Sequence, residues 1–121
     1  NMAANLDNGV MLGALGSAYA NTATTITPPT GMIIAAIQFI SGSASSGGTG
    51  ITTLRAEEPT RFFNTVEASC DATDINVDEG TGGDALPNNV KYPAGMTIYG
   101  RWINATFSGD STGGAICYFG Y

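Results

Sequence analysis

The chain has 121 residues, a formal net charge of −6 and only four Lys+Arg. That length fits one domain, and so few cations exclude the basic footprint of nucleic-acid binding and any electrostatic hold on anionic lipid. The absence of His excludes His-based acid–base chemistry, Ser-His-Asp and Cys-His nucleophiles, and His-containing zinc sites.

Residues 1–17 read as an extended N-terminal arm, with a single β domain over residues 18–121. A helix over Met2 to Leu15 is disfavoured by Gly9 and Gly13, each costing a helix about 1 kcal/mol relative to Ala. Ala18-Tyr19-Ala20 has the form of a signal-peptidase site, but the preceding stretch carries Asp7 and no Lys or Arg, and Gly13 breaks its short apolar run. It is therefore not read as a secretory signal. Ala18 to Thr27, rich in Thr, reads as a strand ended by the turn Pro28-Pro29-Thr30-Gly31. Met32 to Ile40 is the most apolar segment, and its β-branched residues between turn signals favour a strand over a helix. Ser41 to Gly50 reads as an exposed hairpin loop. Ile51 to Ala56 reads as a strand stopped by Glu57-Glu58-Pro59, and Arg61 to Glu67 as a further short strand.

Ala68 to Asn89 is polar and acidic, with room for one short strand at Ile75 and Val77. Lys91 to Ile103 (K-Y-P-A-G-M-T-I-Y-G-R-W-I) then forms the spine of the domain. Pro93-Ala94-Gly95 makes a turn in which Gly95 supplies a positive φ, and the turn launches a strand from Met96 to Phe107. Ala115 to Tyr121 closes the chain and reads as the second arm of a C-terminal hairpin. Strands at this spacing, with Gly-rich turns and no strong helix, predict an all-β fold, a small antiparallel β-sandwich or jelly-roll-like barrel.

Three segments are apolar on both parities. Met32 to Ile40 has a single polar interruption, Gln38. Met96 to Phe107 places Met96, Ile98 and Trp102 on one face and Tyr99, Ile103, Ala105 and Phe107 on the other. Ala115 to Tyr121 splits into Ala115, Cys117, Phe119 and Tyr121 against Ile116 and Tyr118. A chain this small buries one face of such strands in its own core. The second face then needs either a loop of the same subunit or a second subunit. Arg101, set among these residues, is read either as paired with Glu57, Glu58 or a carboxylate of Asp71 to Glu79, or as reaching out to solvent from a strand end.

Little in the chain suggests catalysis. Glu57 and Glu58 are adjacent, so on a strand they point to opposite faces. No Gly-x-Ser-x-Gly elbow is present, and Gly47 to Gly50 lacks the Lys of a phosphate loop. Asp74 to Gly80 alternates oxygen ligands as a calcium loop does, but Glu79 and Ala85 stand where an EF-hand has Gly and a bidentate Glu. No catalytic, cofactor-binding or metal-binding residue is assigned. Asn104-Ala105-Thr106 matches a glycosylation sequon without a secretory signal to support it. Cys70 and Cys117 read as buried small hydrophobes, with a single bridge as the alternative. The aromatic residues of the C-terminal third read as core or interface packing, with sugar stacking as the alternative.

Gly31 to Ile40 (G-M-I-I-A-A-I-Q-F-I), Leu54 to Glu57 (L-R-A-E), Tyr92 to Ile103 (Y-P-A-G-M-T-I-Y-G-R-W-I) and Gly114 to Gly120 (G-A-I-C-Y-F-G) resemble small virion structural proteins of tailed bacteriophages, particularly marine and cyanobacterial phages. The resemblance covers the chain from about residue 18 onward. It implies a non-enzymatic capsid decoration (cement) protein on the outer capsid surface, a β-rich homo-oligomer, often a trimer, that staples major capsid proteins together. A host-glycan-binding module on a head or tail fibre is the alternative. Under this reading no cofactor, nucleic acid or membrane is required. The candidate subunit or assembly contacts are Ile33, Ile37, Phe39, Tyr99, Arg101, Trp102, Tyr118, Phe119 and Tyr121.

Overall fold

A computed structural model describes residues 13–21, 24–40, 48–65, 83–87, 90–109 and 114–121. The chain is all-β: β1 (Ser17–Ala20), β2 (Thr25–Ile26), β3 (Ile33–Phe39), β4 (Thr49–Ala56), β5 (Lys91–Tyr92), β6 (Thr97–Gly109) and β7 (Ala115–Gly120). They form one antiparallel hydrogen-bonded sheet in the order β1-β7-β3-β6-β4-β5, with β2 also on β6. β6 is long enough to serve two half-sheets. Its first half, from Thr97 to Trp102, pairs with β3. Its second half, from Trp102 to Gly109, pairs with β4, and β2 joins it at Ala105 and Thr106.

The two halves fold face to face into a small sandwich. Phe39 of β3 stacks on Tyr92 of β5 with ring centroids 4.7 Å apart, although β5 is the far end of the strand order. Phe39 also meets Phe107 edge-on at 6.4 Å. A buried polar clasp joins the halves: the Gly114 N–H donates to Thr49 Oγ1 at 2.8 Å, and that hydroxyl donates to the Gly114 carbonyl at 3.3 Å. Between the halves lies one core, including Ile34, Ile37, Phe39, Ile51, Leu54, Trp102, Ala105, Phe107, Cys117 and Phe119. Each large side chain so buried contributes about 1.5–3 kcal/mol.

The turns follow their residues. Pro29 accepts from Met32 N at 3.0 Å, and Gly31 has φ 84°. In the Pro93-Ala94-Gly95 turn, Gly95 has φ 90°, and its N–H donates to Phe39 O at 2.7 Å while Phe39 N–H donates to Met96 O at 2.9 Å. The turn that launches β6 is thus stitched to the end of β3, which fixes their register. Residues 57–65 fold back over the end of β4. Thr65 N–H donates to Leu54 O at 2.9 Å and Thr65 Oγ1 accepts from Leu54 N at 2.8 Å.

Several expectations change. Ala18 to Thr27 is two strands, β1 and β2, rather than one. Of the strand expected from Arg61 to Glu67, the described residues 61–65 hold only an isolated parallel bridge from Thr65 to Leu86, and residues 66–67 lie outside the described residues. The hairpins are also absent. β6 lies between β3 and β4, and β3 lies between β6 and β7, so both connections cross a strand rather than turn beside one. Neighbouring of consecutive strands is a tendency, and the crossing lets both half-sheets share β6. Residues 1–12, Ile75 and Val77, Cys70 and the calcium-like stretch 74–80 lie outside the described residues.

The two-faced pattern has a more specific cause than a shortage of covering surface. The register shifts on β3 between Ile34 and Ala36, on β4 between Ile51 and Thr53, and beside β6 between Asn104 and Trp102. Each shift is a β-bulge, and an extra residue reverses the parity of everything after it. On β3 the bulge at Ala35–Ala36 lets Ile34, Ile37 and Phe39 all enter the core. On β6 the extra residue is Ile103, which is exposed, so Ala105 and Phe107 join Trp102 in the core rather than opposing it.

Candidate functional site

The sandwich has two outer faces, and they differ in chemistry. On the half built from β2, β4, β5 and the second half of β6, Thr25, Thr106 and Thr53 lie side by side across three strands. Thr25 and Thr106 share a hydroxyl hydrogen bond of 2.7 Å. The neighbouring rows hold Asn104 beside Arg55, and Ser108 beside Gly50 and Lys91. This face is hydroxylic and cationic, and is suited to water.

The outer face of β1, β7, β3 and the first half of β6 is the candidate site. One row reads Tyr99, Ala36, Tyr118, Ser17, and the next reads Thr97, Gln38, Ile116, Tyr19. Tyr118 donates its hydroxyl to Gln38 Oε1 at 3.2 Å, so the two rows are tied together. Tyr99 stands 67% exposed on this face. Neither row holds a charged side chain.

Beyond the Tyr99 row the face sinks into a slot of about 240 Å³, lined by Leu15, Ile33, Ala35, Gly100, Arg101, Gly120 and Tyr121. Its floor consists of small residues. A Cβ on Gly120 would stand 3.2 Å from Ala35 Cβ, so any larger residue would fill the depression. Glycine inside a strand marks such close approaches, and Gly120 was the signal in the sequence that could have disclosed the slot. At the rim, Arg101 Nε donates to Glu57 Oε1 at 2.8 Å and its Nη1 donates to the Tyr121 carbonyl at 2.9 Å. The hydrogen bond from Arg101 holds the Glu57 carboxyl below its ordinary value, and the bond to Glu57 holds the guanidinium above its own. Of the two readings of Arg101, the paired one is observed, with Glu57 as partner. Glu57 is thus an ionised ion-pair partner, poorly placed to act as a proton donor.

The nine candidate contacts divide between core and surface. Ile37, Phe39, Trp102 and Phe119 lie in the core of the subunit, with Trp102 fully buried and its Nε1–H donated to Phe63 O at 2.9 Å. Ile33, Tyr99, Arg101, Tyr118 and Tyr121 lie on the outer face just described, where Ile33 is buried, Arg101 and Tyr118 are half-buried, and Tyr99 and Tyr121 are exposed. Leu15, Tyr19, Ala35, Gly100, Ile116 and Gly120 complete it without having been singled out by sequence. Cys117 is a free, buried thiol, and burial pushes its pKa up to about 12. Among the described residues no group of three or more His, Cys, Asp or Glu side chains is placed to hold a metal ion.

No protein-family model matches the chain, and neither a curated protein nor a solved structure does.

Proposed function

We propose that this chain is a structural protein of a tailed-phage particle, a capsid decoration protein that assembles with copies of itself and with the major capsid protein on the outer capsid surface. The observation supporting this reading is the unlikeness of the two outer faces. One is a hydroxyl-rich surface suited to solvent. The other is an uncharged aromatic and aliphatic surface of a kind that marks association rather than solubility. A protein working by one-sided attachment needs this division, and it needs no reacting group. The sequence resemblance supplies the particle, and the face supplies the means of attachment.

The test is to add the purified protein to phage particles stripped of their accessory proteins and image them by electron microscopy. Regularly spaced new density, together with greater resistance of the particle to heat, is the expected result. Particles that stay bare at saturating protein would refute the reading. A second reading, a host-glycan-binding module on a head or tail fibre, draws on the exposed rings of Tyr19, Tyr99 and Tyr121. It predicts retention on a glycan array, and an array without signal would remove it.

A further inference from the structure

We infer that the outer face of β1, β7, β3 and β6 is a contact between two copies of this chain, in which Tyr99 of each copy enters the slot of the other. The inference rests on the decoration reading only for why a weak contact would suffice.

The first support is charge. The chain carries a net charge of −6, so two copies repel at most orientations. The face is an exception. Its rows hold no charge, and the single cation at its edge, Arg101, is closed onto Glu57. A strongly charged partner would gain no attraction here, whereas a second copy of the same neutral surface meets no repulsion.

The second support is shape. The face carries both a projection and a depression in adjacent rows: Tyr99 pairs with Ala36, and Ala35 lines the slot. A two-fold axis lying in the plane of the interface and running between those rows exchanges them, so each projection meets the other copy's depression. That is the self-complementarity an isologous interface requires. A slot of about 240 Å³ falls below the ~300–1,000 Å³ usual for ligand sites, but suits one inserted ring.

Area sets the strength. Four strands ~4.8 Å apart, each showing about five residues at ~3.3 Å, present roughly 320 Å² in projection. Two such faces fall well short of the ~1,200–2,000 Å² of a stable complex. The pair is therefore weak and rapidly exchanging in solution. Anchoring both copies on a particle raises their effective concentration and fills the contact. An isologous contact closes at two copies, where the sequence resemblance implies three.

The test is sedimentation of the full chain from about 10 μM to about 1 mM, the range a contact of this size calls for. Expected is a concentration-dependent monomer–dimer equilibrium, weakened at least about tenfold by Tyr99→Ala and by Ala35→Leu, which fills the slot, and unchanged by Thr53→Ser on the opposite face. Circular dichroism and thermal melting confirm that each variant is folded. A parent that stays monomeric, a species of three copies, or association indifferent to both slot variants overturns the inference. Particle binding is measured on the same variants. A monomeric parent whose Tyr99→Ala form loses the particle assigns this face to the capsid protein instead, overturning the self-contact while leaving the decoration reading intact. A parent that dimerises as expected but never binds particles upholds the contact and refutes the decoration reading.

Discussion

The bulged middle of β6 makes a quantitative prediction at Gly100. A Cβ built there would lie 2.6 Å from Cζ2 of Trp102 and 2.9 Å from both Cε2 and Cη2. Separations below 3.0 Å force a shift, and the indole has little freedom to give way. It is fully buried, its Nε1–H is held by Phe63 O at 2.9 Å, and the Phe63 ring packs against it at 5.3 Å. Overpacking of this kind costs about 1–3 kcal/mol. Against it stands the smaller entropy of an unfolded chain with Ala in place of Gly, which returns about 0.4–1 kcal/mol. The net expectation for Gly100→Ala is a loss of about 1–2 kcal/mol, a drop in Tm of roughly 3–8 °C for a domain of this size.

Chemical denaturation with an unchanged slope is the appropriate assay, and a double-mutant cycle isolates the cause. Phenylalanine at 102 lacks the outer atoms of the indole that the new methyl would strike. Trp102→Phe on its own leaves Phe63 O without its donor and costs about 1–3 kcal/mol. Adding Gly100→Ala in that background is expected to cost little, giving a coupling energy of about 1 kcal/mol. Gly13→Ala, which meets nothing within 4 Å, is the control. A Gly100→Ala protein as stable as its parent would falsify the placement of Trp102 beneath Gly100, and so the inward turn of that ring.

Three further outcomes follow from groups already described. Thr49→Val removes the hydroxyl that clasps Gly114 and leaves a buried N–H unpaired. It should cost about 1–3 kcal/mol in denaturant melts, and a neutral result would show that the clasp does not join the half-sheets. In a Cys70→Ser background, Cys117 should resist maleimide in the native state and label fully once unfolded, since its thiol is buried and its pKa raised to about 12. Rapid native labelling would contradict its place in the core. Glu57, whose folded pKa is lowered from 4.5, contributes stability that is fully present above that value and is lost as pH falls through the lower folded value. Glu57→Gln should therefore flatten the acid limb of the stability profile below about pH 4.5. Identical limbs in parent and variant would mean that the Arg101 pair does not persist in solution.

Strand locations and turn chemistry were readable because they rest on local signals. Pro28 to Gly31 and Pro93 to Gly95 turn where their residues say they should, and the β-branched runs became β3, β4 and β6. Pairing was not readable. Nothing in Ser41 to Gly50 or Ser108 to Gly114 discloses that another strand lies between the elements they join. β5 is only two residues long, too short to leave a pattern. The bulges account for the largest departure. A parity count assumes that every residue advances the pleat by one step, and the extra residues at Ala35–Ala36, Thr52 and Ile103 break that assumption. Two-sidedness in the second half of β6 was thus an artefact of counting across Ile103. It assigned Phe107, a core side chain, to the same face as Tyr99, an exposed one.

Correcting the parity narrows the unexplained apolar surface. The second half of β6 is ordinary, with core residues on one side and Thr106, Asn104 and Ser108 on the other. The first half is not, because Tyr99 and the slot remain outside with Ala36, Ile116 and Tyr118 beside them. Strand propensity alone does not explain the difference, since threonine would serve a strand there as well as it does at positions 25, 53 and 106. Nor does core packing, because these side chains point away from the core. The contact proposed above would account for it. On that proposal, the projecting Tyr99 ring and the slot, whose one charged lining residue, Arg101, is paired with Glu57, would meet in a second copy of the chain.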